Sequence, residues 1–171
     1  MGTWLRLLGI LCLALPAGPA MTQQGSASEQ TVHAALVFNF MKFTEWPVAE
    51  GSLKLCVASG DRQQIEALEN LAGKQVRGQV LVVARLHPRE TNCQVLFVDS
   101  RQRWEESLGN RRSLVQTLTV GAYAGFAWDG GMIEIARHEG SARFDVNLAE
   151  VRRAGLRLYP QLLRLARQVF E

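Results

Sequence analysis

The chain has 171 residues, 47% of them hydrophobic and 20% charged, with a formal charge of +3. Adjacent arginines occur only at 111–112 and 152–153, so the sequence offers no concentrated basic face of the kind nucleic acid requires, and its cations read as solvated surface.

The N-terminal stretch "MGTWLRLLGILCLALPAGPA" carries one positive residue, Arg6, then an apolar run from Leu7 to Leu15 and a small-residue exit at Gly18-Pro19-Ala20. This pattern predicts a secretory signal peptide over residues 1–20. The run is shorter than the ~20 apolar residues needed to cross a bilayer. Cys12 lies inside that run and would leave with the leader. About 150 residues then remain, enough for one domain with a real core. A flexible lead-in is expected over 21–28 and the folded domain over 29–171.

Ser26 or Ser28 can cap a helix starting near Glu29, in which Val32, Leu36, Phe40 and Phe43 recur at helical spacing. Pro47 ends it and pushes Trp46 into an extended conformation. Phe38 falls off the stripe, about 200° around the helix from Leu36. "LKLCVAS" reads as a strand, Asp61 with Gln64 as the start of a helix to about Leu71, and Gly73 as its end. "VLVVARL" and "VLFVDS" are two more strands, Ser100 caps a helix through Leu108, and "LVQTLTV" offers a fourth strand. Continuous Val/Leu runs alternating with helices predict an α/β fold with a mixed, largely parallel sheet covered on both faces.

Two cysteines remain after the leader, Cys56 in "LKLCVA" and Cys93 before "QVLFVD". An even count in an exported chain suggests a disulfide, which forms if these runs are neighbouring strands; two buried free thiols are the alternative.

The last third predicts a hairpin, Met132–Arg137 and Ala142–Val146 about a turn at Glu139-Gly140. Asn147 with Glu150 starts a short helix that Gly155 ends. "PQLLRLARQVF" places Leu162, Leu165, Ala166 and Val169 on one stripe and reads as an amphipathic closing helix.

Little of this spacing carries chemistry. The histidines lack metal-ligand spacing, "GAYAGFAWDGG" lacks the pattern of a phosphate loop, and no G-x-S-x-G elbow occurs. Tyr123, Phe126 and Trp128 in the glycine-rich segment suit core packing, with a ligand wall or protein contact as the alternative. Asp129, Glu134 and Asp145 could form an acid–base group, but a cross-strand ion pair with Arg143 explains Glu134 and Asp145 more simply. The expectation is therefore a non-enzyme without metal or cofactor.

The succession "VFNFMKFTEWP", "LKLCVA", "CQVLFVDS", "GFAWDGGMIEIA" and "RFDVNLAEVRRAGLRLYPQLLRLA" resembles the YfiR family of periplasmic proteins over roughly Glu29 to Val169. The resemblance implies a periplasmic α/β domain that represses an inner-membrane diguanylate cyclase by binding its periplasmic sensor region, lowering cyclic-di-GMP signalling. It also places Cys56 and Cys93 where the family can carry a disulfide, whose reduction could release the partner. In "AGLRLYP", Tyr159 stands where the family often has Ser or His, which puts an inherited ligand pocket in doubt. Phe38, off the main stripe, is the residue expected to touch the partner. The alternative is a small-molecule binding domain using Trp128 as an aromatic wall and Arg157 as a charged anchor. The oligomeric state is left open, a homodimer included.

Overall fold

The computed structural model describes residues 28–47, 51–87, 92–108 and 114–171; the expected leader and the lead-in up to residue 27 lie outside them. Ser28 caps helix α1 (Glu29–Lys42), its hydroxyl oxygen accepting from the Thr31 amide at 3.2 Å. The buried face of α1 is Ala34, Val37, Phe40 and Met41, while Val32, Leu36 and Phe43 are half-buried. The stripe is thus rotated from the expected one, because α1 packs on the sheet and also against a second helix. Trp46 closes the end of the core as its place before Pro47 suggests, and its indole N–H donates to the Gln94 carbonyl at 3.3 Å.

After strand β1 (Thr44–Glu45) the chain runs β2 (Leu53–Ala58), α2 (Arg62–Glu69), β3 (Gln75–Val76), β4 (Gln79–Arg85), β5 (Val95–Val98), α3 (Arg101–Leu108) and β6 (Leu118–Gly121). The hairpin β7 (Ile133–His138) and β8 (Ser141–Asn147) follows, then α4 (Leu148–Arg153), β9 (Arg157–Leu158), α5 (Pro160–Leu163) and β10 (Gln168–Phe170). Eight strands form one sheet in the order β10-β8-β7-β6-β5-β2-β4-β3, and β1 pairs with β9 in a separate ribbon. All neighbours in the large sheet are parallel except β7 with β8 and β3 with β4. The architecture is the expected α/β fold with a mixed, largely parallel sheet.

Alternation along the central strands separates two cores. Leu53, Leu55 and Val57 of β2, with Val95 and Phe97 of β5, join Phe40, Met41, Ile65 and Leu68 from α1 and α2. Cys56, Ala58, Leu96 and Val98 point the other way, toward Trp104 of α3. Both faces are covered, which is why these strands read as unbroken apolar runs.

Two expected elements differ. The strand expected over "LVQTLTV" begins only at Leu118, because Gln116 adopts a left-handed φ of 59° that a strand cannot contain. The expected closing helix is the single turn Pro160–Leu163, after which the chain extends into β10 beside β8. Arg167 decides this: its amide donates to the Phe144 carbonyl at 2.8 Å, and its guanidinium pairs with Asp145. Leu165 and Val169 are consequently exposed instead of lining a helix stripe. The hairpin turn falls where expected, with Glu139 at φ 48° and Gly140 at φ 77°, the conformation a tight two-residue turn demands.

Candidate functional site

The segment from Gly121 to Gly131 joins β6 to β7 and is built around one ring. Phe126 is fully buried, with Trp104 at 4.9 Å and Tyr123 at 5.4 Å in edge-to-face contact. Gly121 and Gly131 flank it, and a Cβ at either position would fall within the ring, so both glycines serve close approach and not phosphate binding. Asp129 ties the segment to α3. Its carboxylate accepts from Arg101 Nη1 at 2.6 Å and from the Tyr123 hydroxyl at 3.0 Å, and its carbonyl accepts from Trp104 Nε1 at 3.1 Å. Burial, reinforced by the hydrogen bond to Asp129, pushes the Tyr123 phenol well above its usual range.

The carboxylates that might have formed an acid–base group hold structure together. Glu134, 6% exposed, accepts from the amides of Gly125 at 3.2 Å and Ala127 at 3.1 Å. Asp145, 3% exposed, faces Glu134 across the hairpin and pairs with Arg167 of the closing segment through Oδ1 at 2.9 Å and through Oδ2. The partner is therefore Arg167 and not the expected Arg143, which the register sets opposite Ala136. Asn147 adds a further brace, donating from its amide to the Ala127 carbonyl at 2.9 Å. Among the described residues no three His, Cys, Asp or Glu side chains gather as a metal cluster would require.

Cys56 and Cys93 form a disulfide with Cα atoms 5.7 Å apart. Cys56 lies in β2, which pairs with β5, and Cys93 lies two residues before β5, so neighbouring strands bring them together. The bridge sits in the same core as Phe126 and Trp104.

Among the described residues Trp128 is the most exposed large apolar side chain, at 75%, although it belongs to the segment that buries Phe126. Its ring meets Phe170 of β10 at 4.5 Å, edge to face. Among the described residues β10 is the last strand of the sheet, so this aromatic pair includes a residue of its edge strand. Phe38 is half-buried against the main core, with the ammonium groups of Lys74 and Lys42 at 5.5 and 5.9 Å from its ring. Arg157 points outward between buried Leu156 and Leu158, as their alternation predicts, and faces Glu45 in the β1–β9 ribbon. Trp128 and Arg157 thus belong to separate elements. Tyr159 accepts from Arg77 Nη1 at 2.6 Å, and the same guanidinium lies 5.0 Å from its ring. Among the described residues, grooves of about 400, 460 and 610 Å³ open on the surface, and none of these is lined by Phe38, Trp128 or Arg157. Phe170 went unnoticed in the sequence because its segment fits a helical period, and the contacts of Arg167 with Asp145 and the Phe144 carbonyl that make it a strand are tertiary.

No helix among the described residues is long and apolar enough to cross a membrane. Two solved structures share the fold. One is a conserved domain protein from Vibrio cholerae O1 biovar El Tor, 12% identical, with a TM-score of 0.53 over 83% of this chain and 60% of that one. The other is an ABC domain in complex with L-Trp from Streptococcus pneumonia, 10% identical, with a TM-score of 0.54 over 82% of this chain and 60% of that one. The chain therefore spans 60% of the length of each, and the likeness concerns the fold alone. The family model described as YfiR/HmsC-like matches residues 30–167, and the chain belongs to that family.

Proposed function

We propose that this protein acts in the periplasm as a regulator that binds and represses the periplasmic sensor region of an inner-membrane diguanylate cyclase, lowering cyclic-di-GMP signalling. Membership of the YfiR/HmsC-like family is the observation that carries this reading, and at the level of the family it supports a periplasmic regulator of such cyclases and not a catalyst. Repression of this kind needs only tighter binding to the partner's inactive state. Moving the partner from mostly active to mostly inactive, 1:99 to 99:1, requires about 5.5 kcal/mol of preference. Phe38 is one proposed contact residue, and Trp128 on Phe170 offers the more exposed surface. An exposed tryptophan beside an unpaired strand edge is the kind of anchor protein interfaces use. Reduction of Cys56–Cys93 is the proposed signal input, acting by loosening the core beneath Phe126.

A second reading is a small-molecule binding domain using Trp128 and Arg157. The fold shared with a domain solved in complex with L-Trp favours it. Deletion of the gene, with cyclic-di-GMP measured before and after, tests the first reading when paired with pull-down by the mature domain. Raised cyclic-di-GMP together with capture of a membrane diguanylate cyclase supports it. An unchanged level and no captured cyclase refute it.

A further inference from the structure

The order of the large sheet reverses at β2. From β2 the chain passes through α2 to β4 on one side, whereas β5 lies on the other side and leads through α3 to β6. In open α/β sheets the crevice outside the carboxyl ends of the strands at such a reversal is where ligands bind. Here a groove of about 460 Å³ opens at that rim, running from α2 to α3 across the ends of β2 and β4. Its size lies in the range of small-molecule pockets.

The lining divides by chemistry. Val57, Ile65 and Leu86 give an apolar side, and Arg85 and Arg103 supply guanidinium groups. Arg85 makes an exposed pair with Glu69 at 3.3 Å, and Arg103 approaches Asp99 at 3.4 Å. The Arg85–Glu69 pair faces solvent, and pairs of that kind are weak and exchange readily for another anion. Asp99 Oδ2 accepts from the Ser59 hydroxyl at 2.6 Å and the Gly60 amide at 2.8 Å, while its buried Oδ1, without a hydrogen bond among the described residues, faces Arg103 Nε, so a bound anion would share that guanidinium with Asp99. The one acidic lining residue, Glu106, accepts from Gln102 at 3.0 Å. Gly60 contributes by what it lacks: a Cβ there would meet Arg103 Nη2 at 3.0 Å, so glycine lets the guanidinium lie close against the backbone.

We propose that this crevice binds a small organic carboxylate, with the apolar body against Ile65 and Leu86 and the carboxylate between Arg85 and Arg103. The site is separate from the residues proposed for the partner, so it stands whether or not the repressor reading holds. An amphipathic anion is the class that uses both halves of the lining at once.

Amide spectra of the mature protein titrated with 4-phenylbutyrate, and in parallel with neutral 4-phenylbutyramide, test this directly. The expected result is saturable shifts at Ser59, Gly60 and Ser107 with the acid, and binding of the amide weaker by about tenfold or more, the loss of one charge-assisted contact. R85A and R103A should each weaken the acid by a similar factor, and G60A should weaken it by displacing Arg103, whose flexible end can move without unfolding the chain. R143A, on the hairpin, should leave it unchanged. Equal response to acid and amide on the unaltered protein overturns the proposal. So does the absence of saturable shifts at these three residues up to the solubility of the acid, or undiminished binding in R85A and R103A variants whose remaining spectra match the parent.

Discussion

Phe126 occupies the space that a side chain on Gly121 would need. The ring is fully buried and fixed by Trp104 and Tyr123, so it cannot swing aside. Gly121→Ala should therefore destabilise the fold by about 3 kcal/mol, the upper range for overpacking a close-packed core. Gly60→Ala, which meets only the tip of Arg103, should cost much less. Urea unfolding of the two variants checks the contrast, and equal midpoints would contradict the packing described.

The disulfide closes a loop with a sequence separation of 37 residues. In the chain-entropy account, opening a loop of that length costs about 4 kcal/mol. Unfolding midpoints of the mature protein with and without a reductant should differ accordingly. A C56S/C93S double variant should resemble the reduced protein, and a midpoint indifferent to reduction would contradict the bridge.

The pairing of Asp145 with Arg167 predicts a local effect. Arg167→Ala should release β10 from β8, because the guanidinium holds the strand to a carboxylate that is otherwise buried. Amide hydrogen exchange at residues 168–170 should accelerate far more than exchange in β2 or β5. Arg143→Ala should leave exchange in β10 unaltered.

Tyr123 predicts a pH dependence. Its phenol is held above the ordinary range by burial and by its hydrogen bond to Asp129, so the folded state favours the neutral form. The contribution is fully present below the unfolded pKa of about 10 and disappears as pH rises from there through the folded value. Alkaline unfolding of Tyr123→Phe should therefore lose less stability above pH ~10 than the parent does. Parallel stability curves for the two proteins would contradict this.

On the regulatory reading, Trp128→Ala should weaken capture of the cyclase by about thirtyfold, the effect of removing an aromatic hot spot worth ~2 kcal/mol. Phe38→Ser should weaken it less, since that ring is half-buried and covered by two lysines, and should also lower stability. Pull-down and unfolding of both variants separate contact from packing.

The central strands were legible because burial on both faces leaves unbroken Val/Leu runs, and the helix starts because Ser28, Asp61 and Asn147 cap as their sequence positions suggest. β1 and β9 were not, since two residues are too few to show any alternation. The stretch after Pro160 misleads for a different reason: Leu162, Leu165, Ala166 and Val169 do fit a helical period, and only the tertiary pairing of Arg167 with Asp145 selects extension. The structural role of Glu134 was hidden similarly, because the amides it accepts from lie seven and nine residues back, in a turn without a fixed motif. Exposure of Trp128 was equally silent, since three aromatics in one glycine-rich run carry no mark of which one faces inward.

The ladder joining β6 to β7 consists of only two residue pairs, Val120 with Ile133 and Gly121 with Glu134. Within the interior of the sheet this is a short seam, against four pairs between β5 and β6 and four between β2 and β5, and Glu134 also carries the turn from which Trp128 projects. Parting the sheet between β6 and β7 would therefore break two residue pairs, half the number that hold β5 to β6.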